Sequence, residues 1–299
     1  MPRENGQFHN VPMEQYLAWD AVSNSSLGHM LRSPAHFRAE LEQPREQTPA
    51  MAIGTAVHTS ILEPDAFDTG YVCLPDPDPD RHRNANGSLS LKPASTKAYK
   101  EECASIALRN PGAVLLGGDE YTAVVSMREA VLTHPVANAL LERGGESELS
   151  CTWMREDLSP PVMCKGRFDR ITSQVDGGAI IDIKKTRDAS RHAFERAIFQ
   201  YGYHRQAAFY LDGAARLGMP VGHFVIIAVE PEPPYAVAVY RIIEGALEAG
   251  AAQLDALLAK YAQCSDRDEW PGYPEQVQDI ALPSWAWGAV DEQIEEITR

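Results

Sequence analysis

The five cysteines of this 299-residue chain (Cys73, Cys103, Cys151, Cys164 and Cys264) never approach Cys-x-x-Cys spacing. Their odd number and wide separation argue against a disulfide framework and against a zinc site. Reduced, mostly buried thiols are the expectation. Long hydrophobic runs are missing as well. None approaches the ~20 residues of a membrane span, and residues 1–7 lack the apolar core of a secretory signal. A cytoplasmic protein with no membrane partner is therefore expected. An excess of basic residues is also absent: 27 Lys and Arg face 42 Asp and Glu, a net charge of −15. Taken as a whole, such a chain repels polyanions. No internal repeat is visible.

What is present begins with an apolar fraction of 44%, enough for a sizeable core in one large or two ordinary domains. The charge is uneven. From Lys165 to Arg205 stand nine basic residues (Lys165, Arg167, Arg170, Lys184, Lys185, Arg187, Arg191, Arg196, Arg205) and five acidic ones (Asp169, Asp176, Asp182, Asp188, Glu195). That window is +4, which leaves −15 − 4 = −19 elsewhere. A basic strip on an acidic body focuses a polyanion into one groove. On charge alone, a solvated helix fits equally well.

Residues 1–20, polar with scattered aromatics, read as an N-terminal arm. Residues 21–265 read as one domain, with a helical part over 21–145 and a sheet core over 146–265; residues 266–299 form a C-terminal tail. Ser23 and Ser33-Pro34 are start signals for helices through Leu31 and Leu41. Further helices are predicted at Ala50–Leu62, Ser95–Arg109, Gly118–Thr133 and Val136–Leu141. The stretch 75–93, with its Pro-Asp repeats, has no face to bury and is expected to be a mobile loop. Glu146–Glu156 and Val162–Ile171 alternate as a hairpin around Ser159-Pro160-Pro161. Asp176-Gly177-Gly178 then turns into a third strand, Ala179–Lys185. A long helix is predicted from Ser190 to about Ala215, strands at His223–Val229 and Tyr235–Ile242, and a helix at Gly245–Tyr261. Trp270, Trp285 and Trp287 in the tail are expected to pack against the body. This order predicts an α/β (α+β) fold, a central mixed β-sheet flanked by helices with an N-terminal helical region.

The densest chemistry lies between Gly166 and Tyr210. Asp182 and Lys184 stand two apart in an otherwise apolar strand, so they share a face. Burying such charges is costly unless they are paired or bind an ion. Asp169 ends the preceding strand. Two carboxylates bind a hard divalent ion, which polarises a phosphate oxygen and acidifies a bound water. A lysine beside that water offsets developing negative charge. A surface salt bridge at a sheet edge is the competing reading. On the following helix Tyr203, Gln206 and Tyr210 stand at i, i+3 and i+7, on one face. Upstream, Gly54-Thr-Ala-Val-His58 places a histidine in a small-residue helix; a lone helical histidine is more often structural.

Asp169 with Asp182-Ile183-Lys184 resembles the PD-(D/E)XK nuclease superfamily, although Phe168 stands where that pattern has proline. Gly54-Thr-Ala-Val-His58, Ser33-Pro-Ala-His-Phe37, the serines at 23–26 and Tyr203-His-Arg-Gln206-Ala-Ala-Phe-Tyr210 resemble the RecE-like, exodeoxyribonuclease VIII-type branch, over about residues 20–245. The resemblance implies a restriction-endonuclease-like core and a Mg²⁺-dependent exonuclease, with Mn²⁺ as substitute. Such an enzyme digests linear double-stranded DNA 5′→3′ and leaves a 3′ single strand for recombination. It implies metal ligation by His58, Asp169, Asp182 and the Ile183 carbonyl, and a nucleophilic water served by Lys184. Gln206 and Tyr210 would organise the site, while Arg167, Lys185, Arg187, Tyr203 and Arg205 contact DNA. The implied partners are DNA ends, a RecT-like annealing protein and further copies in a ring, in a bacterial or phage-encoded system. Two alternatives are a CRISPR-adaptation-type nuclease, whose four cluster cysteines are not matched here, and a non-catalytic DNA-binding protein on the same fold.

Overall fold

The computed structural model describes residues 4–43 and 48–299. In chain order the elements are β1 (Gly6–Phe8), α1 (Met13–Leu17), α2 (Asn24–Gly28), α3 (Pro34–Glu42), α4 (Pro49–Leu62), α5 (Pro64–Gly70), β2 (Tyr71–Cys73), α6 (Lys97–Arg109), β3 (Val114–Leu116), α7 (Gly118–Thr133) and α8 (Pro135–Leu141). Then follow β4 (Glu146–Arg155), β5 (Val162–Thr172), β6 (Ala179–Lys185), α9 (Arg191–Gln200), α10 (Tyr203–Arg216), β7 (His223–Val229), β8 (Val237–Arg241), α11 (Glu244–Arg267) and α12 (Ser284–Thr298). Six strands form one sheet in the order β1-β4-β5-β6-β7-β8. Within this sheet the β6–β7 pair is parallel and the other neighbours are antiparallel, and the long connection between β6 and β7 carries α9 and α10; β2 and β3 form a separate parallel pair. The sheet is therefore mixed and flanked by helices, as its sequence order requires. No helix among the described residues is long and apolar enough to cross a membrane.

The period of two divides the core into two layers. Ile180, Phe224, Ile226, Phe168, Leu149 and Trp153 face one side, with Phe194, Phe209 and Leu258 of α9, α10 and α11. Ala179, Ile181, Ile183, Val225 and Ile227 face the other, with Val57 of α4 and Val124 and Met127 of α7. Close packing of α11 on α10 depends on Gly250, where a Cβ would lie 2.3 Å from the His204 carbonyl oxygen. Backbone cannot yield as a side-chain tip does. Gly250→Ala should therefore destabilise the protein by about 2–3 kcal/mol, the upper range for overpacking. A denaturant midpoint unchanged from the wild type would show that α10 is not held this way.

Several sequence expectations change in the folded chain. The segment read as an arm is built into the body. β1 pairs antiparallel with β4 at the sheet edge, and Val11, Tyr16 and Trp19 are buried. The cause is Lys165, whose ammonium donates to the carbonyls of Tyr16, Leu17 and Trp19 at 3.1, 3.0 and 2.8 Å. All three donors of an ammonium are thereby used. Within the stretch 75–93, His82 is buried. Its Nδ1 accepts from the Asp78 N–H at 2.8 Å and its Nε2 lies 2.7 Å from Glu102 Oε2. The single helix predicted from Ser190 is two. Gly202, at φ +69°, takes a left-handed conformation that breaks it after Tyr201. Of the tail tryptophans, Trp270 stacks on Phe37 at 5.4 Å, whereas Trp285 and Trp287 stay exposed on α12.

Candidate metal and nuclease centre

The centre forms where β5 and β6 part. Their pairing runs from Thr172↔Ala179 to Arg170↔Ile181 and goes no further. Beyond it the Ile183 N–H donates to Asp169 Oδ2 at 2.8 Å, so the carboxylate takes the place of a strand carbonyl. Asp169 has the opposite parity to Phe168 and belongs to the α4 layer. There His58 Nδ1 lies 3.3 Å from Asp169 Oδ2. On α4 the fully buried Ala56 packs against this layer, whereas a Cβ at Gly54 would meet no atom within 4 Å, so Gly54 does not set the approach of the helix.

Glu148, for which the sequence reading assigned no role, completes the group. The flanking pairs Ser147↔Arg170 and Leu149↔Phe168 put Glu148 directly opposite Asp169 across β4 and β5. Like charges in that position repel. Glu148 also has a φ of +52°, a conformation rarely adopted by a non-glycine residue and often found at functional sites. Ligand atoms of His58, Glu148 and Asp169 all lie within 4.8 Å of one another. Nothing in the sequence separated Glu148 from the other acids of its strand; only the register does.

Asp182 and Lys184 have the parity of Ile180 and open toward α10. Asp182, 1% exposed, lies with Oδ2 2.6 Å from Lys184 Nζ. The approach falls outside hydrogen-bond geometry, and Oδ2 has no hydrogen-bond donor. Gln206 Nε2 donates to Asp182 Oδ1 at 2.7 Å, and its side chain also reaches the Tyr210 hydroxyl. The Tyr203 ring lies under Lys184 Nζ, 5.0 Å from it. Tyr203 and Gln206 thus touch the acid-x-lysine pair, while Tyr210 packs against Phe168.

The titration behaviour follows from burial. Desolvation, then the nearby Asp182 charge, raises the Asp169 carboxyl well above its usual range. Glu148 is raised by burial and then by Asp169. His58 is held below its ordinary value by burial and by Lys184, which keeps the imidazole neutral. Lys184 is raised despite its burial, because Asp182 and Asp169 stabilise the ammonium. Two partly buried carboxylates opposing each other beside a neutral imidazole are an oxygen and nitrogen donor set suited to a hard or borderline divalent cation.

Of the expected ligands, His58 and Asp169 meet here, and Glu148 joins them. Asp182 is not part of the group of three, being engaged by Lys184 and Gln206. Ile183 contributes its N–H to Asp169. Two expected DNA contacts are turned inward. Arg167 donates from Nε to Glu148 Oε2 at 2.5 Å and from Nη1 to the Val11 carbonyl at 2.7 Å. Arg205, 4% exposed, donates to Asn24 Oδ1 at 2.9 Å and Gln253 Oε1 at 3.3 Å. Spacing cannot distinguish a cation that faces water from one that holds helices together. Arg187 is exposed, and Lys185, half-buried, donates to the Ala50 carbonyl at 3.3 Å.

A mixed sheet that carries paired acids and a lysine at diverging strand ends, with a glutamine helix against them, is a PD-(D/E)XK-type domain. Residues 23–283 match the family described as PDDEXK-like domain of unknown function (DUF3799), and the chain belongs to that family. Among solved structures, a candidate exonuclease from Eubacterium rectale is similar at 14% identity and a TM-score of 0.49, over 94% of this chain and 99% of that one. The structure of SSO0001 is similar at 14% identity and a TM-score of 0.29, over 72% of this chain and 95% of that one. No curated protein matches the chain.

Proposed function

We propose that the protein is a divalent-metal-dependent exonuclease acting on the ends of double-stranded DNA. The observation that carries the reading is the meeting of His58, Glu148 and Asp169 with the buried Asp182–Lys184 pair at one strand divergence. A divalent cation held by His58, Glu148 and Asp169 would polarise a phosphate oxygen and lower the pKa of a bound water. Lys184 supplies positive charge where the attacked phosphate gains negative charge. Asp182 holds that ammonium in its charged form, and Gln206 fixes the free rotation of Asp182. The Tyr203 ring faces the ammonium at 5.0 Å. Mg²⁺ is the proposed ion, with Mn²⁺ as substitute. Digestion 5′→3′, a ring of copies, and supply of 3′ single strands to an annealing protein belong to the same proposal, and rest on the sequence resemblance.

Dependence on an end is tested with one plasmid in two forms. Linearised DNA should be consumed in Mg²⁺, while covalently closed circles should survive at least about a hundredfold longer, the loss expected when reacting groups cannot be positioned. Cutting of closed circles at a similar rate would replace the exonuclease reading by an endonuclease on the same core. Closed circles and linear DNA both left intact would remove the nuclease reading.

A further inference from the structure

Two large aromatic side chains stand in water beside this centre. Phe199 is 79% exposed and Tyr201 60% exposed. Exposed apolar surface next to a reactive cavity marks a contact site more often than scattered surface residues do. Both residues line the cavity of about 700 Å³ that contains Lys184 and Gln206. Tyr201 also lines a neighbouring cavity of about 570 Å³, whose rim holds Lys185, Arg187 and Arg196. The pair is therefore a ridge between the reactive lysine and a cluster of cations.

The ridge is rigidly presented. It occupies the break between α9 and α10, where the Tyr201 N–H donates to the Ala197 carbonyl at 2.9 Å and the Gly202 N–H to the Phe199 carbonyl at 3.2 Å. Phe199 stacks on His204 with ring centroids 6.2 Å apart and planes inclined by 15°. Tyr201 stacks on Tyr203 at 5.7 Å and 30°. Tyr203 is the ring that faces Lys184 Nζ at 5.0 Å. A stack of aromatic rings thus runs from open solvent to the reactive lysine.

We propose that Phe199 and Tyr201 form a stacking platform for unpaired nucleobases of the polynucleotide strand entering the centre. The charge pattern selects this occupant. An apolar protein segment would match the rings but not the charge of the rim, where Lys185, Arg187 and Arg196 stand against the single acid Asp188. A single strand offers π-faces and phosphates in alternation, and so matches both. A duplex keeps its base faces stacked internally, so the platform engages a strand only once it is unpaired. The inference rests on the nuclease reading above and adds to it the form of substrate that is gripped.

The test uses the full chain in a chelating buffer, so that no cleavage intervenes. Fluorescence anisotropy measures binding of a single-stranded oligodeoxynucleotide of about 12 nucleotides, within the usual range of single-strand site sizes. A counterpart of the same length has abasic residues throughout, so its phosphates are kept and its bases removed. The wild type should bind the base-containing strand about tenfold or more tightly than the abasic one. In F199A/Y201A that ratio should fall to near one, with affinity for the abasic strand unchanged. F199Y/Y201F should retain the ratio. Both side chains are exposed, so the variants should melt with the wild type. A wild-type ratio near one, or a ratio that survives F199A/Y201A, overturns the platform. If the wild type then still digests linear DNA in Mg²⁺, the nuclease reading stands and the platform alone has failed. No binding to either strand and no digestion would remove both.

Discussion

Lys184→Ala is expected to lower DNA cleavage by about a hundredfold or more, the loss typical when one preorganised charge is taken from a phosphoryl or acyl transition state. The same substitution reports on the fold. Asp182 is 1% exposed and Lys184 is the cation nearest it. Without the ammonium a buried carboxylate is stranded and must take up a proton or destabilise the protein. Breaking such a pair on one side typically costs about 3–5 kcal/mol. Gln206 still donates to Oδ1, which places the loss toward the lower end. Asp182→Asn removes the stranded charge, so the double variant D182N/K184A should recover stability without recovering activity. A structural salt bridge predicts the opposite pairing: cleavage would return together with stability. Thermal melts and cleavage rates on the same three preparations decide between them. Near-wild-type cleavage by Lys184→Ala would end the catalytic assignment.

Asp169→Asn should abolish stabilisation by divalent ions while making the metal-free protein more stable at neutral and alkaline pH. The sign follows from proton linkage. The folded-state pKa of Asp169 is raised above the unfolded value, chiefly by burial. The folded protein therefore holds a proton that the unfolded chain has released. Stability from this group is fully present below the ordinary carboxylate range and is lost as pH rises through the raised folded value. Glu148, raised by burial and by Asp169, adds to the same trend. Asparagine carries no charge and escapes that loss. Its advantage over the wild type should thus be absent in acid and about 1–3 kcal/mol at pH 8, the usual scale for relieving a buried, uncompensated charge. Mn²⁺ at about a hundred times its dissociation constant should stabilise the wild type by about 2.7 kcal/mol and the variant hardly at all. The wild-type metal affinity should weaken toward acid pH, because protons compete for Glu148 and Asp169 and then for His58. Denaturant titrations from pH 5 to pH 8, with and without Mn²⁺, read all of this. Equal stabilisation of the variant by Mn²⁺ would place the ion elsewhere.

The centre also shows why single positions mislead. The family resemblance assigns Arg167 a contact to DNA. In the fold its guanidinium joins Glu148 to the N-terminal segment at Val11. Lys165 and Arg205 likewise hold backbone and helices together. The basic strip between Lys165 and Arg205 is thus partly internal, and its outward portion is the smaller set at Lys185, Arg187, Arg191 and Arg196.

The sequence by itself determined the strands β4 to β8 and their faces. A period of two assigns Asp182 and Lys184 to one face of β6, and that assignment is local, so no tertiary information is needed. It also determined the helical face of Tyr203, Gln206 and Tyr210, because 3.6 residues per turn fixes it. Capping chemistry marked the starts of α2 and α3, since Ser23 and Ser33 accept from backbone N–H groups three residues on. Tertiary structure decided which residues meet. Glu148 joins Asp169 only through the antiparallel register of β4 and β5, and His58 reaches them only because α4 packs on that layer. It decided too that Asp169 and Asp182, both legible as acids at strand ends, serve different partners. Parity gives the two carboxylates opposite faces, but packing decides that α4 covers one face and α10 the other, and the parting of β5 from β6 lets Asp169 take the Ile183 N–H.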